Sequence, residues 1–251
     1  MSGRSDAELR RLIGERIWFH TLELRPGIIT PGKSDERGTL AHLDLPADLS
    51  GLSVLDIGAW DGFFSFEAER RGADRVVASD VWETNGRGGF DLARDELGSK
   101  VEGLEASVYD LPEALGGERF DVVLFLGVLY HLKHPLLALE KIAAVTQPGG
   151  LAIIETVIDK ESMFGPPGMR FYPGAELNSD PTNWWAPNPP ALGSMLVTCG
   201  FGRAENRVQL YAGNRTIFHA FKAPDEVVAE LAAREHRERH HLAGLTGKAV
   251  R

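Results

Sequence analysis

Apolar and polar positions along the chain fall into blocks, and the blocks alternate in kind. The runs 52–57, 75–79, 101–106, 120–126 and 151–157 are strand-length, and the most apolar of them, such as Phe120–Leu126 (FDVVLFL), carry almost no polar interruption. Runs of that kind predict parallel strands buried on both faces. Stretches of helical character separate them: Phe63–Arg71, closed by Gly72, then 90–97, and 135–146 with Pro135 in its first turn. A helix over 190–199 follows, and 201–210 and 213–222 read as two strands joined near Tyr211-Ala212-Gly213. At the other end, 5–19 has apolar residues at helical spacing (Leu9, Leu12, Ile13, Ile17, Trp18) behind a capping box of Ser5 and Glu8. That helix either covers a sheet edge or lids a ligand mouth. Residues 20–45 read as loop, with turns at Pro26-Gly27 and Pro31-Gly32. The prediction is an α/β fold, Rossmann-like, with a mostly parallel sheet and an antiparallel hairpin at its end.

One segment breaks the alternation. Residues 159–190 are rich in Pro, Gly and Asn yet carry Phe164, Phe171, Tyr172, Trp184 and Trp185. A long irregular insertion with this many aromatics predicts an ordered cap that walls a substrate site, with Tyr172, Trp184 and Trp185 as its contact candidates. The alternative is a surface insertion whose rings pack on the sheet.

Composition narrows the picture. The chain of 251 residues is long for one minimal domain and short for two. We expect one domain with decorations: a cover over 1–45, the cap over 159–190 and a charged helix over 224–251, helical across 225–241. Hydrophobic residues make up 43%, enough for a sizeable core, and the net charge of −9 disfavours a nucleic-acid partner. The single cysteine, Cys199, and the absence of a signal-peptide pattern at the N-terminus fit a reducing, cytoplasmic setting. No apolar run is long enough to span a bilayer, so no membrane partner is expected. His236, His240 and His241 include metal-ligand spacing, but no further ligand is linked to them. A solvated helix face is the reading preferred, and no metal is expected.

The chemistry concentrates in Val54–Asp80. A strand ends at Asp56-Ile57, a turn runs through Gly58, Ala59, Trp60, Asp61 and Gly62, and a helix begins at Phe63. A second strand closes on Asp80, 22 residues after Gly58, where an acid can accept both hydroxyls of a ribose. Trp60 stands where a dinucleotide fingerprint has glycine, which leaves less room for a pyrophosphate. Ligands bind at the carboxyl ends of such strands, and Asp56, Asp80, Asp110, Tyr130, His131 and Glu155 all follow or close strands there.

These motifs resemble the class I S-adenosylmethionine (SAM) methyltransferases. The resemblance implies a seven-stranded sheet and a SAM cradle. Its contacts would be Asp56, Gly58, Ala59, Trp60, Gly62, Phe63, Asp80, Val81, Tyr109, Asp110, Leu111, Leu126 and Gly127. Asp110 matches the position that accepts from the adenine amino group, and it also reads as a helix N-cap. A narrower resemblance rests on GVLYHLKHPLLALEKI (127–142), PGG (148–150) and ETVID (155–159). These are similar to the tRNA wobble-uridine methyltransferases and carboxymethyltransferases. That family implies carboxy-SAM, whose extra carboxylate would be held by Tyr130 and Arg215, with Lys33 a candidate for a third contact. The Trp-rich segment DPTNWWAPNPP instead suggests a relative that modifies a small molecule.

For methyl transfer to an oxygen or nitrogen nucleophile the resemblance leaves a base to be found. His131 is the first candidate, since its ordinary pKa suits neutral pH, with His20 and Glu155 behind it. His131 could equally be structural. Tyr130 would orient the acceptor, and His20, Glu155 and Arg215 join the cap aromatics as substrate candidates. Methyl transfer to a small molecule is the first reading. Carboxymethylation of tRNA and a non-catalytic SAM-binding role are the alternatives.

Overall fold

The computed structural model describes residues 3–82, 87–230 and 233. It opens with α1 (Asp6–Gly14), whose first turn is capped by Ser5 Oγ accepting from Glu8 N at 3.2 Å. This helix stops five residues short of the expected end. Ile17 consequently lies outside it, 66% exposed, while Trp18 is buried from the loop and donates Nε1–H to Ile13 O. The stretch read as loop holds three short elements: β1 (Glu23–Arg25), β2 (Ile28–Ile29) and α2 (Arg37–His42).

The central unit follows the expectation closely. It comprises β3 (Ser53–Ile57), α3 (Phe63–Arg70), β4 (Arg75–Asp80), α4 (Gly88–Leu97) and β5 (Glu102–Glu105). The second half holds α5 (Leu111–Ala114), β6 (Phe120–Leu126), α6 (Pro135–Val145) and β7 (Thr146–Val157). The turn expected at 146–150 is absorbed into β7, because Thr146 already pairs with Phe120 before the ladder slips to Val122–Leu151. Segment 159–190 contains a small antiparallel pair, β8 (Met169–Phe171) and β9 (Trp185–Pro187). The chain then runs through α7 (Pro189–Thr198), β10 (Phe201–Tyr211) and β11 (Arg215–Lys222). Residues 225–230 are helical. His236, His240 and His241 lie outside the described residues.

Seven strands form one sheet in the order β10-β11-β7-β6-β3-β4-β5. The pairs from β5 to β7 are all parallel, and β11 runs antiparallel to both its neighbours. Because side chains alternate across a strand, each strand feeds both faces. Val54, Val76, Leu124 and Ile153 join Leu9, Ile13, Trp18 and Phe90 on one side. Leu55, Val77, Val123 and Ile154 join Leu139, Ile142, Leu192 and Leu196 on the other. Two-sided burial is why these strands read as unbroken apolar runs. Strand order reverses between β3 and β6, and that switch point is where a parallel sheet opens a crevice at its carboxyl edge.

Candidate active site

The turn after β3 is held from two directions. Gly58 N and Ala59 N donate to Ser79 O on the neighbouring strand, at 2.8 and 3.2 Å. Gly58 has φ +79°, and a Cβ there would lie 2.4 Å from Val128 Cγ2. Glycine is therefore required by the loop after β6 packing against this turn. We expect Gly58→Ala to cost about 2 kcal/mol or more from clash and left-handed strain together. Adding Val128→Ala should return the clash part only; equal melting temperatures for the Gly58→Ala variant and the parent would refute this.

Asp80 ends β4 beside that turn. Its Oδ2 accepts from Trp60 N at 2.8 Å and its Oδ1 from Val81 N at 2.6 Å. Burial raises its pKa, while those two N–H groups work against the rise. An ionised carboxylate offers about four acceptor positions, so each oxygen keeps room for a further donor such as a ribose hydroxyl. Trp60 sits at φ +49°. Its ring stacks on Phe19 at 5.0 Å, and its carbonyl accepts from Trp82 Nε1 at 3.0 Å. The indole is thus turned to the N-terminal segment. Val81 is 50% exposed, Ala59 is buried, and Phe63 packs beside His20 and Phe64.

Asp56 faces the interior. Its Oδ2 accepts from Ser65 Oγ at 2.6 Å, tying β3 to α3, and burial pushes its carboxyl up to about 7, with the nearby Asp80 adding to the rise. A folded pKa above the ordinary 3.8 means the native state holds the extra proton across that window, so stability is full below it and lost as pH rises through about 7. Asp56→Asn keeps an acceptor for Ser65 and cannot ionise. Its melting temperature should fall less than the parent's between about pH 4 and 7, and parallel pH profiles would count against the assignment.

Asp61 was not singled out from the sequence, where it reads as part of a turn. It is buried, and Oδ2 accepts from the backbone N–H of Phe19 and His20 at 2.6 and 2.8 Å. The N-terminal segment is thereby bonded to the Gly58–Gly62 turn from 42 and 41 residues away. His20 sits buried behind the turn, and burial lowers its pKa to about 4. It is a neutral core histidine packed against Phe19, Phe63 and Phe64.

Past β5, Tyr109 Oη accepts from His134 N at 3.2 Å and Leu111 is fully buried. Asp110 is exposed at the cap position of α5, where its side chain makes no cap bond.

The richest cluster lies past β6. Gly127, at φ +74°, donates N–H to Glu155 O at 3.0 Å, and Leu126 beside it is half-buried. A Cβ on Gly127 would stand 3.3 Å from Arg215 Nη2, 3.6 Å from Tyr130 Oη and 3.8 Å from Glu155 Oε2. Arg215 grips Glu155 with two donors, Nε to Oε1 and Nη2 to Oε2 at 2.7 Å. Nη2 also donates to Tyr130 Oη at 3.2 Å, and the guanidinium lies over the Tyr130 ring. The Glu155 bond holds Arg215 charged despite its burial. Burial raises the Tyr130 phenol, so it stays protonated. Tyr211, another residue the sequence did not mark, brings a buried hydroxyl with no hydrogen-bond partner among the described residues. Burial and then the Glu155 charge keep that phenol protonated too.

His131 is next to Tyr130, with ring centroids 4.3 Å apart. Burial lowers its pKa, leaving it neutral at ordinary pH. Its Nδ1 lies 2.9 Å from Thr182 Oγ1 and 3.2 Å from Thr182 O. Trp184 N donates to Tyr130 O at 2.8 Å. Segment 159–190 is therefore fastened over the loop after β6. Tyr172 N donates to Trp184 O, Phe171 packs on both Trp184 and Trp185, and Lys133 Nζ lies 4.7 Å from the Trp184 ring centroid. Lys33 is exposed. Among the described residues no cluster of three metal-ligating side chains occurs, and no helix is long and apolar enough to cross a membrane.

Comparison with known proteins gives this arrangement a context. The sequence profile of the methyltransferase domain family matches residues 34–198. The tRNA U34 carboxymethyltransferase of Trichlorobacter lovleyi is 32% identical over 156 residues, or 61% of this chain and 46% of that protein. The chain thus spans about half the length of the curated relatives it matches. In fold, the N-terminal domain of EvdMO1, solved in the presence of S-adenosylhomocysteine (SAH) and D-fucose, matches with a TM-score of 0.65 and 22% identity. It covers 89% of this chain and 100% of that domain. The 1,6-didemethyltoxoflavin-N1-methyltransferase of Burkholderia thailandensis, with SAH bound, matches at a TM-score of 0.53 and 21% identity over 70% of this chain and 72% of that one. The acceptor positions left on Asp80 fit the chemistry of a ribose hydroxyl in such a ligand. The chain belongs to the methyltransferase domain family, and SAM is its cofactor.

Proposed function

We propose that the chain transfers a methyl group from SAM to an oxygen or nitrogen of a small molecule, with His131 as general base. The observation that carries this reading is the place of His131: a neutral, half-buried imidazole directly after the Gly127 turn, under segment 159–190. The bound cofactor supplies an electrophilic methyl carbon on a sulfonium. An acceptor lone pair would form the new bond to that carbon as the carbon–sulfur bond broke with its electron pair left on sulfur. The acceptor's proton passes to His131. Alignment is the protein's main contribution. Tyr130, held by Arg215, presents a protonated phenol to orient the acceptor. Segment 159–190 acts as a cap whose Tyr172, Trp184 and Trp185 wall the site. Two fold neighbours were solved with small molecules, one in the presence of D-fucose and one with 1,6-didemethyltoxoflavin bound, and this supports a small acceptor.

Carboxymethylation of tRNA is the second reading. It is favoured by Arg215 Nη2 meeting Tyr130 Oη beside Gly127, and by the names of the curated relatives. Against it, Glu155 already takes two of the Arg215 donors, and the net charge is −9. Calorimetric titration with SAM and with carboxy-SAM separates the readings. We expect SAM to bind the more tightly and total tRNA to give no gel shift. Preference for carboxy-SAM with a tRNA shift would replace the first reading by the second. SAM binding without turnover on any acceptor would leave a binding protein.

A further inference from the structure

We infer that Asp180 and Thr182, both on the cap, are positioning residues that fix the tautomer of His131 and leave its Nε2 free to take the acceptor's proton. The inference deepens the proposed methyl transfer and rests on it for its catalytic meaning. The geometry itself stands apart from that reading.

Asp180 Oδ1 lies 2.8 Å from Thr182 N and 2.7 Å from Thr182 Oγ1. An ionised carboxylate only accepts, so both groups donate to it. These two bonds hold the Asp180 carboxyl below its usual range, and it is charged at neutral pH. A threonine hydroxyl owns one proton, and Asp180 takes it. Toward His131, Thr182 therefore offers lone pairs alone, from Oγ1 at 2.9 Å and from its carbonyl at 3.2 Å. Nδ1 must be the nitrogen that carries hydrogen. A neutral imidazole has one N–H, so Nε2 is bare.

The groups that bear on His131 agree with this role. Asp180 favours the imidazolium, Arg215 opposes it, and Tyr130 against the ring stays a neutral phenol. When Nε2 takes the acceptor's proton, the Nδ1–H already points through Thr182 toward the Asp180 charge. No atom has to rearrange. The relay also makes the base depend on the cap: with the cap displaced, Nδ1 loses both acceptors and the ring is free to take the other tautomer.

The test is nitrogen-15 NMR of His131 in the full chain saturated with SAH, which needs no acceptor. The parent should show Nδ1–H and a bare Nε2. Asp180→Ala frees the Thr182 hydroxyl to donate to Nδ1. Its spectrum should shift toward Nε2–H, and the imidazole should titrate at lower pH than in the parent. Asp180→Asn keeps an acceptor for Thr182, and Thr182→Ser keeps the hydroxyl, so both should retain the parental tautomer. An Nε2–H tautomer in the parent overturns the inference whatever the variants do. So does an Asp180→Ala spectrum and titration equal to the parent's. A parental Nδ1–H tautomer together with full turnover in His131→Ala would instead remove the base assignment and leave the relay standing.

Discussion

Asp80→Ala should weaken binding of SAH by about 100-fold or more, and Asp80→Asn should do nearly as badly. The carboxylate takes a backbone N–H on each oxygen, from Trp60 and from Val81. Those bonds shape the mouth of the turn and leave each oxygen with room for a further donor. Hydrogen bonds to a charged group are worth about 1.5–3 kcal/mol each. At about 1.4 kcal/mol per tenfold, losing two to a ribose accounts for the expected factor. Asparagine is no substitute, because one of its ends carries hydrogens and would meet a backbone N–H head on. Calorimetry with SAH on both variants measures the effect. Affinity within about twofold of the parent would mean that the ribose is held elsewhere and that Asp80 only shapes the backbone.

The second large effect belongs to Arg215 and Glu155. Glu155 is 2% exposed and Arg215 24% exposed by side chain, and each is the other's main partner. Removing one partner of a buried pair leaves an uncompensated charge and costs about 3–5 kcal/mol. Arg215→Met should cost more than Glu155→Leu, since the carboxylate left behind has less access to water than the guanidinium has. The double variant Glu155→Leu/Arg215→Met strands no charge. It should regain most of the lost melting temperature while losing turnover, because Tyr130 no longer has its anchor. Denaturant unfolding of the three variants gives the coupling. If the single losses simply add in the double variant, the pair contributes no mutual stabilisation.

How much of this was legible in sequence follows the physics of each element. Strand β6 was read to the residue, because two-sided burial leaves a continuous apolar run. The Gly58 turn was legible for a related reason, since a left-handed bend between a strand and a helix leaves glycine little competition. Its cause was not: the close neighbour is Val128, 70 residues on, and such partners have no local signal. The same holds for Asp61, whose bonds run to the backbone of Phe19 and His20. Helix α1 was read too long because Ile17 and Trp18 continue the apolar spacing past Gly14, and spacing cannot distinguish a helix from a loop that tucks one ring inward. Helix α2 was missed because none of its six residues is buried, so it has no apolar stripe. Among the candidate contacts, Tyr130, Glu155 and Arg215 do converge, as a fold with antiparallel β11 beside β7 requires. Asp56 and His20 turn inward instead. Thr182 and Asp180 have no local signal either, because their link to His131 exists only where segment 159–190 packs on the loop after β6.

The two outer strands of the sheet have a consequence for how this protein meets others of its kind. Strand β5 has four residues. Strand β10 slips register against β11 three times and displays Arg203, Glu205 and Arg207 along its length. Short, kinked and charged borders are poor templates for an incoming strand. Crowding and partial heating should therefore not drive this domain into sheet-extended polymers through its native state. Aggregates that do form will report unfolding, which makes light scattering a usable proxy for melting in a variant screen.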